Sequence, residues 1–267
     1  MPDDESVFSR LQYETSANLR IRARMHQHYS TNPQGWAGWV WERMAIRPRM
    51  AILEIGCGDG ALWRAHAQGL PAGCSILLTD LSAGMASAAF GTLAGELLSV
   101  AVADAVALPC SSESLDLVIA NHMLYHVPDR AAALREIQRV LRPGGRLCAT
   151  TVGVEHMREM HHWLIAACGR PLTPAMLHLP SFTLQSGAAE LSRCFADVTR
   201  EDYPDSLCVP DVDPVLDYMR SMWSALMGQE ETRRLKETLR RELAEQGAIR
   251  IHKESGMLVA FKGGRGA

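Results

Sequence analysis

The 267-residue sequence predicts a Rossmann-like α/β fold, a parallel sheet with helices on both faces. Three observations carry this. Five short apolar runs between residues 50 and 153 alternate with helix-like stretches, the first run ends in a glycine-rich turn, and acidic residues close the second and third. Strands that are apolar almost without a break are buried on both sides, which is what a helix-covered parallel sheet requires.

The elements follow in order. "MHQHYSTNPQGWAGWVWERM" (25–44) joins the end of one helix to a second, in which Trp36, Trp39 and Val40 recur at helical spacing. "MAILEIG" (50–56), "SILLTD" (75–80), "LLSVAVAD" (97–104), "LDLVIANH" (115–122) and "GRLCATTVG" (145–153) read as strands. Between them, "ALWRAHAQG" (61–69), "SAGMASAAFGTLAG" (82–95) and "DRAAALREIQRVL" (129–141) read as helices, the last with Asp129 as N-cap and Pro143-Gly144-Gly145 as its stop. Beyond 153 the pattern changes. "VEHMREMHHWLIAACG" (154–169) reads as a helix carrying His156, Met160 and Trp163, "RPLTPAMLHLPSFT" (170–183) as a loop, 184–195 as a helix and "DVTREDYP" (197–204) as a strand. "DPVLDYMRSMWSALM" (213–227) is a Met- and Trp-bearing helix, "QEETRRLKETLRRELAEQG" (229–247) a solvated surface helix, and "IRIHKESGMLVAFKG" (249–263) a closing hairpin.

Composition narrows the function. With 47% apolar residues the chain can bury a large core, and a formal charge of -3 gives no basic field for a nucleic acid. No run reaches membrane-spanning length, and the acidic opening "MPDDES" is unlike a secretory leader, so the cytoplasm is the expected compartment. Seven scattered cysteines without a C-x-x-C pair are expected to be reduced core residues. No metal site is expected. His156, His161 and His162 have no carboxylate or cysteine at ligand spacing, and adjacent side chains leave a helix on different faces.

In such sheets ligands bind outside the carboxyl ends of the strands. The first strand ends in "LEIGCGDG", where Gly56, Gly58 and Gly60 let the backbone turn sharply and let a ligand approach main-chain N–H groups. The spacing is G-x-G-x-G, with Leu62 where a dinucleotide site would need its third glycine. Glu54, two residues ahead of the turn, repels a pyrophosphate and attracts a cation. Asp80 closes the second strand, twenty residues past Gly60, the offset at which a carboxylate takes ribose hydroxyls; capping the next helix is the alternative. Asp104 closes the third, where its carboxylate and the Ala105 N–H suit the edge of an adenine, an Asx-turn being the alternative.

Together "LEIGCGDG", "LLTDLSAGM", "VADAVALP", "LDLVIANHMLYHVPD" and "LRPGGRL" resemble class I S-adenosylmethionine-dependent methyltransferases, in the small-molecule branch that includes the ubiquinone/menaquinone-biosynthesis enzymes. The resemblance covers about residues 50 to 153 and implies a seven-stranded sheet whose last strand is antiparallel. It also implies S-adenosylmethionine as cofactor and S-adenosylhomocysteine as product. By position, Glu54, Gly56, Cys57 and Gly58 would surround the methionine part, with Asn121 and His122 facing its sulfonium end. Asp80 would hold the ribose, Leu81 and Met85 would flank the adenine, and Asp104 with Ala105 would read its edge. Cys57 receives no chemistry of its own. The segment from His26 to Asn32 resembles a lid found in some members, with Tyr29 turned inwards, so residues 1–46 are expected to form a helical lid and 47–267 the catalytic domain, with acceptor-covering insertions at about 154–183 and 212–246.

Methyl transfer from a sulfonium asks chiefly for alignment, and a general base helps an acidic acceptor. His126, then Tyr125, then His156 are the candidates. A small-molecule acceptor, probed against the alternatives of an RNA or protein substrate or a cofactor-binding module without turnover, fits the absence of a basic extension or an Asn-Pro-Pro-Tyr-like motif. The acceptor's identity and the oligomeric state are left open by the sequence.

Overall fold

The computed structural model describes residues 16–93 and 98–263. The five apolar runs form β1 (Ala51–Ile55), β2 (Ser75–Asp80), β3 (Leu98–Val102), β4 (Leu115–Asn121) and β5 (Leu141–Val152). With β6 (Asp197–Val209) and β7 (Ile249–Phe261) they make a seven-stranded sheet in the order β3-β2-β1-β4-β5-β7-β6. β1 runs parallel to both β2 and β4, β2 to β3, and β4 to β5, whereas β7 is antiparallel to β5. Strand order therefore reverses beside β1, which is where a ligand crevice opens in such sheets.

The alternation of side chains along each strand builds two cores. Leu53, Val118, Ala120, Leu147, Ala149 and Leu258 face one way and pack with Leu134 and Ile137 of α5 (Arg130–Val140) and Leu184 and Leu191 of α7 (Leu184–Leu191). Their neighbours Ile52, Leu117, Ile119, Cys148 and Met257 face the other way, onto Trp39, Val40 and Met44 of α2 (Trp36–Met44) and Trp63 of α3 (Ala61–His66). The Asp129 carboxylate accepts the Ala132 N–H at 2.8 Å, so α5 has the expected cap. α4 (Ala83–Leu93) contacts β2 and β3.

Contacts divide the chain into two units. A sheet unit holds Trp36–Gly153, Ser181–Tyr203 and the segment from Ser255; a helical unit holds the segment up to Gly35 with Val154–Pro180 and Pro204–Glu254. The boundary thus falls before α2 rather than after residue 46, because Trp39, Val40 and Met44 are fully buried in the sheet unit's core. The helical unit contains α1 (Ser16–Tyr29), α6 (Arg158–Cys168), α8 (Val212–Trp223) and α9 (Gln229–Gln246). Met25, Met160, Leu164, Val215, Met219, Trp223, Leu235 and Leu239 are its core, so most of the Met and Trp pattern serves packing. Within it Lys253 pairs with Asp205, whose carboxylate also accepts the Ser30 hydroxyl at 2.5 Å and the Thr31 and Asn32 N–H groups at 3.0 Å each. Against the cost of burial, the bonds from Lys253 and Ser30 hold this carboxyl below its usual range.

Two local expectations fail. The closing segment is not a hairpin but one 13-residue strand, since Gly256 stays extended and lies against the Glu201 carbonyl with no room for a Cβ. His156 precedes α6 instead of lying on it, in a turn whose last residue, Met157, has φ +56°. No helix among the described residues is long and apolar enough to cross a membrane.

Candidate active site

The turn after β1 is built as its glycines require. Gly56, Gly58 and Gly60 have φ of +68°, +58° and +73°, a region costly for residues with a Cβ. A Cβ on Gly56 would lie 2.9 Å from that of Met123, whereas one on Gly58 would meet nothing within 4 Å. The turn is tight below and open above. Cys57 N–H donates to the Thr79 carbonyl at 2.9 Å and Gly58 N–H to Asp80 Oδ2 at 2.9 Å, which fastens the turn to the end of β2.

Asp80 does two jobs in this arrangement. Its other oxygen accepts the Ser82 N–H at 2.8 Å, while the Ser82 hydroxyl caps α4 through Met85 N–H at 3.4 Å. A carboxylate has about four acceptor positions, so these two bonds leave room for ribose hydroxyls. Leu81 beside it is 70% exposed, a large apolar side chain held in solvent at the strand end, and Met85 is half-buried. Asp104 Oδ1 accepts the Val106 N–H at 3.2 Å, an Asx-turn, and Ala105 is buried.

Glu54 sits beneath the turn, almost fully buried, with Oε2 taking the Trp63 indole N–H at 2.5 Å and Oε1 the Asn121 amide at 2.8 Å. Burial pushes its carboxyl up to about 7; the two hydrogen bonds oppose this and the Asp80 charge adds to it. Burial, then the charges of Glu54 and Asp80, also push the Cys57 thiol up to about 12, which keeps it protonated and inert at neutral pH. Asn121 is further tied by Thr150 Oγ1, at 3.3 Å from its Oδ1. His122 follows with φ +49°, a strained conformation held by its N–H bonding both Thr150 O and Thr150 Oγ1 at 3.1 Å. Its ring lies 5.0 Å from that of Trp36, which stacks on Trp39 at 5.3 Å.

The chain then makes a 3-10 turn, Leu124–His126, in which Tyr125 is half-buried and packs edge-on to the exposed His126 ring at 4.4 Å. Glu54, Gly56, Cys57, Gly58, Asp80, Leu81, Met85, Asp104, Ala105, Asn121, His122, Tyr125 and His126 thus all belong to the sheet unit, on or just past the C-terminal ends of β1 to β4. Tyr29 and His156 belong to the helical unit. His156 Nδ1 accepts the Glu254 N–H at 3.2 Å, so its neutral ring carries the proton on Nε2 and offers a donor there, not a base. Sequence reasoning missed two residues. Trp63, one turn into α3, was available as the buried Glu54's donor, and Trp36, noted above only for its helical spacing, shares a helix face with Trp39 by its three-residue offset.

Comparison with known proteins agrees with this architecture. Residues 53–149 match the methyltransferase domain family. The matched stretch runs from β1 into β5 and so contains the glycine turn, Asp80, Asp104 and Asn121. The chain is 33% identical over 162 residues to methyltransferase GfsG of Streptomyces halstedii, covering 53% of this chain and 57% of the relative. It is 36% identical over 114 residues to the ubiquinone/menaquinone biosynthesis C-methyltransferase UbiE of Bordetella parapertussis, covering 42% and 44%. The chain therefore spans about half the length of these curated relatives. Among solved structures, the [4+2]-cyclase SpnF shares the fold at a TM-score of 0.59 and 17% identity, over 99% of this chain and 98% of that one.

Proposed function

We propose that the protein transfers a methyl group from S-adenosylmethionine to a small-molecule acceptor, a biosynthetic secondary metabolite, in the cytoplasm. One observation carries the reading: the open glycine turn, Asp80 and the buried Glu54–Asn121 pair stand together at the ends of β1, β2 and β4. Seven unpaired thiols support a reducing compartment.

Asp80 would bind the ribose, Leu81 and Met85 the faces of the adenine, and Asp104 with the Ala105 N–H its edge. Gly56, Cys57, Gly58, Asn121 and His122 would line the methionine part, with Glu54 biasing the site towards a cation through its share of negative charge. The bound cofactor supplies a methyl carbon made electrophilic by its sulfonium. What the chain's residues contribute is alignment, which is worth several orders of magnitude when the reacting atoms are held about 3 Å apart. Trp36 and His122 form an aromatic wall at the end of β4. His126, solvent-exposed and next to Tyr125, is the base proposed for an acceptor that must lose a proton.

Calorimetry with S-adenosylhomocysteine tests the site. Each charged hydrogen bond from Asp80 to ribose is worth about 1.5 to 3 kcal/mol, so Asp80→Ala should weaken binding at least about tenfold. Unchanged affinity in a folded variant would remove Asp80 from the site, and absence of binding by the native chain would overturn the reading. The second reading is cofactor binding without methyl transfer, since a protein described as a [4+2]-cyclase has this fold and the fold alone does not fix the reaction. Incubation with methyl-labelled S-adenosylmethionine and metabolite extract separates the two, since only a methyltransferase yields labelled product.

A further inference from the structure

Thr150 of β5 stands beside Asn121 of β4 in the parallel ladder, at the point where β4 ends and the chain turns out of the sheet. It is 1% exposed, and its hydroxyl is used in both directions. The oxygen accepts the His122 N–H at 3.1 Å, and the O–H donates to Asn121 Oδ1 at 3.3 Å. The same His122 N–H reaches the Thr150 carbonyl at 3.1 Å, so it is shared between the backbone and the side chain of one residue. That double hold falls where His122 takes φ +49°, a conformation costly for a residue with a Cβ.

The Asn121 amide is fixed from both ends. Its Nδ2 donates to Glu54 Oε1 at 2.8 Å, and the other Glu54 oxygen takes the Trp63 indole N–H. Turning the amide over would set Oδ1 against the Glu54 oxygen and leave the Thr150 O–H facing an NH2 group, so hydroxyl and carboxylate select the same orientation. The chain of bonds runs from Trp63 through Glu54 and Asn121 to Thr150 and on to the His122 backbone, all inside the sheet unit. β-branching leaves Thr150 few side-chain rotamers, so its hydroxyl is held there at little entropic cost. Thr151, on the opposite face of β5, is equally buried, but its hydroxyl donates to the Phe182 carbonyl at 2.7 Å.

We infer that Thr150 is a positioning residue for the amino-acid part of the cofactor: its hydroxyl sets the Asn121 amide and the His122 backbone that line that part. The inference rests on the proposed cofactor reading. On that reading the adenosine end is held by other residues, Asp80, Leu81, Met85 and Asp104, none of which the Thr150 hydroxyl bonds. Its loss should therefore be felt at one end of the ligand only.

Calorimetry on the full chain compares S-adenosylhomocysteine with 5′-methylthioadenosine, which keeps the adenosine and the sulfur but lacks the ammonium and the carboxylate. Thr150→Val, matched in shape but without the hydroxyl, should bind S-adenosylhomocysteine about fivefold to tenfold more weakly, with 5′-methylthioadenosine within about twofold of the native chain. Thr150→Ser restores the hydroxyl and should bring S-adenosylhomocysteine back to within about threefold. Thr151→Val removes a buried hydroxyl from the same strand and should lower Tm while both affinities stay in place. If Thr150→Val does not fold, Thr150→Ala removes the same hydroxyl without adding a methyl group and should show the same selective loss. Unchanged affinity for S-adenosylhomocysteine, equal weakening of both ligands, or a Thr150→Ser variant as weak as Thr150→Val would each overturn the inference and leave the cofactor reading standing. Failure of the native chain to bind either ligand would overturn that reading and the inference with it.

Discussion

Glu54 should make the ligand-free protein less stable as pH rises through neutrality. Its carboxyl is raised from 4.5 to about 7 by burial, despite the bonds from Trp63 and Asn121. A folded-state value above the unfolded one means that the folded chain holds a proton which the unfolded chain has released. The associated stability is fully present below about pH 4.5 and is lost as pH climbs through 7. A rise of this size corresponds to about 3 kcal/mol in total, of which about 2.5 kcal/mol disappears between pH 5 and pH 8. Urea denaturation of the native chain and of Glu54→Gln across that range isolates the contribution, because the other titrating groups are common to both. The variant cannot ionise, so its stability relative to the native chain should improve by about 2.5 kcal/mol from pH 5 to pH 8. A constant difference would mean that Glu54 is ionised in the folded state throughout, with water reaching the space beneath the turn.

Three further outcomes follow from single contacts. Gly56→Ala places a Cβ 2.9 Å from that of Met123 at φ +68°; it should cost about 2 kcal/mol and lower Tm by about 5 °C, and an unchanged Tm would show the turn able to rearrange. Lys253→Met leaves the Asp205 carboxylate buried without its cation and should cost about 3 to 5 kcal/mol by denaturation, whereas a loss under about 1 kcal/mol would mean that Asp205 is solvated. His126→Ala should lower kcat by about 10²-fold with cofactor affinity near that of the native chain, turnover recovering as pH rises; normal kcat and KM in a stable variant would move the search for a base to Tyr125.

The sheet and the glycine turn at the end of β1 were legible because their causes are local. β1 to β5 lie within a residue or two of the apolar runs apart from β5, which extends back to Leu141, and the turn after β1 needs positive φ at the very glycines the sequence supplies. Asp129 caps α5 for the same reason, through a bond spanning three residues. The hairpin expected at 249–263 failed because a Ser-Gly pair marks a turn only when nothing else needs the missing side chain; here Gly256 is small so that Glu201 can approach. Glu54 lies beneath the turn, as its place two residues ahead of Gly56 implies, but its state was not legible, since that depends on Trp63 and Asn121 closing over it, and Asn121 is 67 residues away.

The helical unit resisted reading for a deeper reason. Apolar side chains at helical spacing are required alike by a core and by a pocket wall, so the Met and Trp residues of α6 and α8 carry the same pattern in either role. Which role applies is set by long-range partners. Met219 is fully enclosed, and Trp223 one turn later is as well buried, yet only the second presents an unused polar atom between two imidazoles. That distinction is one of hydrogen-bond completeness and not of hydrophobicity. Polar satisfaction, examined atom by atom, adds a second descriptor where periodicity treats wall and core as equal, and by it the indole N–H groups of Trp39 in the sheet unit and Trp223 in the helical unit stand alike, buried without a partner among the described residues.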